Sequence, residues 1–120
     1  IKYIKKIGGM KTVQKHTQEL TKYAIKMLGE IEGLKIIGPK NEMKRAGLVS
    51  FTIEGIHAHD IAGVLDSKGI AIRAGHHCAT PLHNELNIIA SARISFQIYN
   101  TMEEIDYFMS TLKNGIKILR

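Results

Sequence analysis

The 120-residue chain has no tryptophan, one cysteine, two prolines and three phenylalanines. A single cysteine cannot close an internal bridge, which excludes a disulfide-stapled secreted scaffold and leaves the thiol structural, reactive or intermolecular. A reducing compartment follows as the expectation. No apolar run approaches the ~18 residues of a membrane span, and the opening residues Ile1-Lys2-Tyr3-Ile4-Lys5-Lys6 lack the apolar core of a signal peptide. A soluble, cytoplasmic protein without membrane association is therefore expected. Also missing is any polybasic run or RNA-type aromatic and glycine motif. The net charge is +6, but the lysines are spread along the outer faces of expected helices, which argues against a nucleic-acid partner. The chain does not begin with methionine and opens inside an amphipathic helical pattern, so a fragment of a longer protein is expected.

The length suits one domain, residues 1–120, able to bury roughly 65% of its unfolded surface without a metal or a disulfide. Apolar residues at positions 1, 3, 4 and 7 form one helical face that stops at Gly8-Gly9. From about Met10 to Glu32, Val13, Leu20, Ala24, Met27, Leu28 and Ile31 keep a helical period, and Gly33 closes the pattern. Leu34 to Ile37 reads as a short strand ended by Gly38-Pro39, Lys40 to Arg45 as an exposed loop, and Leu48 to Ile53 as a better strand. A helix is expected within His57 to Ser67 with its stop at Gly69, then a strand over Ile70 to Arg73. Ser91 to Ile98 alternates as a further strand. Thr101 with Glu104 three residues on forms a capping box, ahead of a last helix through Ile105, Phe108, Met109, Leu112 and Ile116. This order predicts an α+β fold: a small, mostly antiparallel sheet with helices packed on one face.

The chemistry concentrates at Ile70-Ala71-Ile72-Arg73-Ala74-Gly75-His76-His77-Cys78-Ala79-Thr80-Pro81. A lone cysteine is most often a small buried hydrophobe. Cys78, however, follows a strand pattern broken at Gly75 and sits in a polar loop beside Arg73, His76 and His77, the surroundings that favour a reactive thiolate. Zinc is the rival reading, with His57, His59, His76, His77, Cys78 and His83 as ligands. Three consecutive ligands are awkward to aim at one tetrahedral centre, and no C-x-x-C or H-E-x-x-H spacing accompanies them. His57 and His59, at an expected helix start, read as ordinary exposed histidines. A Cys-His hydrolase lacks an identifiable orienting residue. Arg93 shares a strand face with Ser95 and Gln97, opposite Ala92, Ile94 and Phe96. It is either a solvent-facing arginine or a guanidinium placed for bidentate capture of a carboxylate.

Arg73-Ala74-Gly75-His76-His77-Cys78-Ala79 followed by Pro81-Leu82 resembles the active-site cysteine segment of Suf-type (group II) cysteine desulfurases and selenocysteine lyase-like enzymes, class-V aminotransferase-like users of pyridoxal phosphate. The resemblance extends through Ala92-Arg93-Ile94-Ser95-Phe96, Tyr99-Asn100-Thr101 and Glu103-Glu104-Ile105-Asp106. Upstream it includes Gly47-Leu48-Val49-Ser50-Phe51 and Gly55-Ile56-His57-Ala58-His59-Asp60, so it covers essentially the whole chain. It implies the C-terminal small domain of a fold-type I pyridoxal phosphate enzyme. Cys78 is then the nucleophile that takes sulfur from L-cysteine as a persulfide, leaving L-alanine, and Arg93 grips the substrate carboxylate. Arg73 has an electrostatic or positioning role, while His76 and His77 match motif positions without a defined one. The resemblance further implies a sulfur-acceptor protein of iron–sulfur cluster assembly as partner, and a homodimer for the whole enzyme. A selenocysteine lyase, a related class-V aminotransferase and a non-enzymatic thiol-bearing domain stand as alternatives. The family's cofactor-bearing Ser-x-His-Lys segment is absent, since Lys15-His16 has the reverse order, so the large domain is missing. No cofactor or metal is expected on this chain, and the isolated piece is expected to be an inactive monomer.

Overall fold

The computed structural model describes all 120 residues. Helices α1 (Lys2–Lys6) and α2 (Gly9–Leu28) lead into strands β1 (Leu34–Ile37) and β2 (Leu48–Ile53). Helix α3 (Ala58–Asp66), strand β3 (Arg73–Gly75), helix α4 (Thr80–Glu85), strand β4 (Ser91–Ser95) and helix α5 (Met102–Leu119) complete the chain. The strands form one antiparallel sheet in the order β1-β2-β4-β3. No helix is long and apolar enough to cross a membrane.

Alternation along β2 and β4 gives the sheet two different faces. Val49, Phe51 and Ile53 of β2 and Ala92 and Ile94 of β4 are buried, as is Phe96 just beyond. They meet Leu20, Ala24 and Leu28 of α2, Ile61 and Leu65 of α3, and Ile105, Phe108, Met109, Leu112 and Ile116 of α5 in one cluster. Phe51 and Phe108 pack edge to face at 6.5 Å. Each such fully buried side chain contributes roughly 1.5–3 kcal/mol, so this face holds the sheet and its helices together. Ser50, Thr52 and Arg93 alternate onto the opposite face. The expected α+β sheet with helices on one face is the one observed.

The bounds of β1 and β2 are those the pattern predicts, and Thr101 and Glu104 close both bonds of the capping box at the start of α5. Four expectations need correction. Helix α2 stops at Leu28, not Glu32; Gly29 begins a run of turns that ends at Gly33 in a left-handed conformation (φ 76°). The Lys40 to Arg45 loop contains a 3-10 turn over Glu42–Lys44 capped by Asn41, and the Arg45 guanidinium donates to the carbonyls of Pro39 and Ile37. Strand β4 ends at Ser95, not Ile98, because the Asn100 side chain takes the Gln97 N–H and turns the chain. The third strand is Arg73–Gly75, not Ile70–Arg73. Gly69 (φ 74°) lets the Ile70 N–H reach back to the Leu65 carbonyl and close α3. The chain then runs outside the ladder until Arg73 meets Arg93.

The radius of gyration is 14.9 Å, above the ~13.6 Å expected for a compact domain of this length. The excess follows from α1, which buries no residue, and from the first half of α2, whose buried residues begin only at Leu20.

Candidate active site

The antiparallel β3–β4 ladder sets Arg73 opposite Arg93, Ala74 opposite Ala92 and Gly75 opposite Ser91. On the next strand, Ser50 pairs with Arg93. The two guanidiniums therefore start from one cross-strand position. Arg73 is exposed and Arg93 half-buried, and the Arg93 Nε is buried without a hydrogen-bond partner. Arg93 is thus not the solvent-facing arginine that alternation alone also allowed. Like charges directly opposite on a ladder repel, and an unpaired buried donor costs about 1–3 kcal/mol. An anionic ligand would relieve both.

Beyond Gly75 (φ 128°), His77 (φ 53°) and Cys78 (φ 61°) both take left-handed backbone conformations, and the Ala79 N–H donates to the His76 carbonyl at 2.8 Å. Two central residues at positive φ are the mark of a type I′ turn, unusual here because neither is glycine, asparagine or aspartate. This turn exposes the Cys78 thiol. The His77 Nε2–H donates to the Ser91 carbonyl at 3.0 Å. Burial pushes the His77 imidazole below its ordinary range; the Ser91 carbonyl partly opposes this, while Arg93, His83 and Arg73 push it further down. Cys78 is the residue after His77.

Sequence reasoning missed helix α4 and the contact with Ser91 that it gives His83, a residue offered only as a zinc ligand. Pro81 in its first turn was the available signal, since proline is tolerated there and nowhere deeper in a helix. The helix carries His83 inward to 4% exposure, against Ser91 at 1%. The His83 ring packs edge-on to His76 at 5.3 Å and tilted to His77 at 6.1 Å. His57 and His59 are exposed; their rings stack at 5.1 Å, and His57 Nδ1 caps α3 by accepting the His59 N–H. No three His, Cys, Asp or Glu side chains converge in a metal-binding group.

The assembled donor set is a thiol, two guanidiniums and three imidazoles. It suits nucleophilic attack beside a bound carboxylate. It does not suit anchoring of pyridoxal phosphate, because no lysine occurs between Lys68 and Lys113 and so none stands on β3, α4, β4 or the Cys78 turn. A cavity of about 250 Å³ opens where residues 70–72 part from β4, walled by Ile70, Ile72, Ile94, Phe96, Ile105 and Phe108. Neither Cys78 nor either arginine lines it.

A family model described as aminotransferase class-V matches residues 1–108. A probable cysteine desulfurase of Halalkalibacterium halodurans is 54% identical over 98 residues, which are 82% of this chain and 23% of that protein. Another, from Staphylococcus aureus, is 46% identical over 113 residues, 94% of this chain and 27% of that protein. The apo structure of a cysteine desulfurase from Thermococcus onnurineus NA1 superposes with a TM-score of 0.91 at 38% identity, over 97% of this chain and 28% of that one. The chain spans about a quarter of the length of these relatives.

Proposed function

The chain belongs to the aminotransferase class-V family, and from that membership we propose that it is the C-terminal small domain of a cysteine desulfurase, carrying the sulfur-accepting half of a divided active site. The observation that carries the reading is the exposed Cys78 on its left-handed turn, beside a histidine hydrogen-bonded to the strand that pairs Arg93 with Arg73. In this reading the Cys78 thiolate attacks the sulfur of L-cysteine. The S–S bond forms and the C–S bond breaks. Its electron pair stays on carbon, which takes up a proton, so L-alanine leaves and the persulfide remains on Cys78. Arg93 holds the substrate carboxylate through its planar fork, and Arg73 adds positive charge at the same cross-strand position.

The electron sink for C–S cleavage is pyridoxal phosphate, which the lysine-free site half leaves to a part of the protein beyond this chain. The chain by itself is therefore an inactive thiol-bearing domain. The whole protein is a homodimeric, cytoplasmic enzyme that passes persulfide sulfur to an acceptor protein for iron–sulfur cluster assembly. The projecting, unburied α1 and first half of α2 fit a surface that packs against the remaining chain.

The test uses the full-length protein with L-cysteine, reading alanine release and persulfide on the Cys78 peptide by mass spectrometry. Cys78→Ser is expected to abolish both. Persulfide-dependent sulfur release that survives the substitution would overturn the assignment, and retained activity on selenocysteine alone would identify a selenocysteine lyase instead. For the isolated chain, an absorbance titration with pyridoxal phosphate is expected to give no stable imine band and no alanine.

A further inference from the structure

We propose that His83 is a positioning residue: with Ser91 it forms a buried clamp that fixes the Cys78 turn against the strand carrying Arg93. The inference rests on the reading of Cys78 as the nucleophile. His77 and Cys78 sit at φ 53° and 61°, conformations that cost non-glycine residues of order 1–3 kcal/mol each and persist only where the surroundings over-determine them. An exposed turn tip cannot do that from its own contacts.

The restraints come from both flanks and converge on Ser91. On the upstream flank Gly75 pairs with Ser91 in the ladder, and the His77 Nε2–H donates to the Ser91 carbonyl at 3.0 Å. On the downstream flank the Ala79 carbonyl accepts both the backbone N–H of His83 at 3.1 Å and its Nδ1–H at 2.9 Å. The far side of the same ring, Nε2, lies 3.0 Å from the Ser91 hydroxyl. A carbonyl can only accept, so Nδ1 carries the proton. In the neutral ring Nε2 is then the acceptor of the Ser91 hydroxyl hydrogen. Every polar atom of His83 and Ser91 in this contact is satisfied, and both residues are almost wholly buried. Ser91 stands two residues before Arg93, on the same short strand. The clamp thereby sets the offset between the sulfur-accepting thiol and the carboxylate-binding guanidinium, a spacing that attack on a bound cysteine requires.

The test compares His83→Met, which fills the volume but makes neither bond, with His83→Asn, whose amide N–H can replace Nδ1 toward the Ala79 carbonyl, in the full-length protein. Deuterium uptake is followed in peptides covering residues 76–86 and, as a control, β2. His83→Met is expected to accelerate exchange around Ala79 by about tenfold, the equivalent of the single side-chain hydrogen bond lost at the Ala79 carbonyl, with β2 unchanged. It should lower kcat for L-cysteine by a similar factor while KM moves less than about twofold, and His83→Asn should recover most of both losses. Unchanged exchange near Ala79 in His83→Met would overturn the clamp, as would equal acceleration in β2 with no recovery by asparagine, which marks a packing role only. If the protein released no sulfur from cysteine at all, the desulfurase reading would fail while the exchange comparison still decided the clamp.

Discussion

Arg73 and Arg93 face each other directly across the β3–β4 ladder, and the Nε of Arg93 is buried with nothing to donate to. A fold selected only for stability would not place two guanidiniums in register and leave a buried donor unpaired. An anion at this position would relieve both, as the carboxylate-binding role proposed for Arg93 requires.

Replacing Arg93 by methionine tests that tension. The apolar stem survives, while the unpaired donor and the like-charge neighbour disappear. Urea denaturation of Arg93→Met is expected to show a gain of about 1 kcal/mol, together with loss of cysteine-dependent alanine release in the full-length protein. A variant that is both less stable and active would refute the carboxylate-binding role of Arg93.

His77 makes stability depend on pH. Its imidazole is held below its ordinary range chiefly by burial, so the unfolded chain binds a proton more readily than the folded one. The His77 contribution is fully present above the ordinary imidazole pKa of about 6.5. It is lost as pH falls from there through the folded value, and levels off below it. Thermal midpoints between pH 8 and pH 5 should show this decline. His77→Gln, whose amide can still donate to the Ser91 carbonyl, should remove the His77 component.

Helix packing offers a sharper steric test. A Cβ on Gly115 would lie 2.8 Å from the Val64 Cγ1, so α5 approaches α3 as closely as only glycine allows. Gly115→Ala is expected to cost about 1–3 kcal/mol by overpacking, despite alanine's better helix propensity. Adding Val64→Ala opens the space, and a double-mutant cycle in urea should return a favourable coupling between the two substitutions.

At the start of α5, the Thr101 hydroxyl accepts the Glu104 N–H while the Glu104 carboxylate accepts the Thr101 N–H. Thr101→Ala should cost about 1 kcal/mol. Hydrogen bonds from the Asn100 side chain and the Thr101 backbone hold the Glu104 carboxyl below the usual carboxylate range. Its stabilising contribution is therefore present above the ordinary carboxylate pKa and is lost as pH falls through the lowered one. Circular dichroism of the wild type and Glu104→Gln between pH 6 and pH 3 reads that loss.

The elements legible in the sequence were those whose signal is local. β2 alternates within its own six residues, and its register against β1 follows from which face is apolar. The capping box of α5 needs four consecutive residues and was read correctly. Strand β3 was misplaced because Ile70-Ala71-Ile72 has strand composition but no partner, the ladder to β4 beginning only at Arg73. Helix α4 was missed because six residues bearing a proline, a histidine and an asparagine show little periodicity. The buried contact of His83 with Ser91 depends on that helix.

The sequence by itself determined the sheet-and-helix class and the family-like motif in which Cys78, Arg73 and Arg93 stand as the proposed site residues. Those rest on patterns a few residues long, where side-chain type and spacing are the physical cause. Only the tertiary structure decided that the two arginines stand opposed, that the Cys78 turn is left-handed at two ordinary residues, and that His83 and Ser91 are hydrogen-bonded to each other in the interior. The arginine pair joins residues 20 positions apart, the His77–Ser91 bond residues 14 apart and the His83–Ser91 bond residues 8 apart. Their energy comes from strand pairing and from hydrogen bonds between groups that only burial forces to find one another.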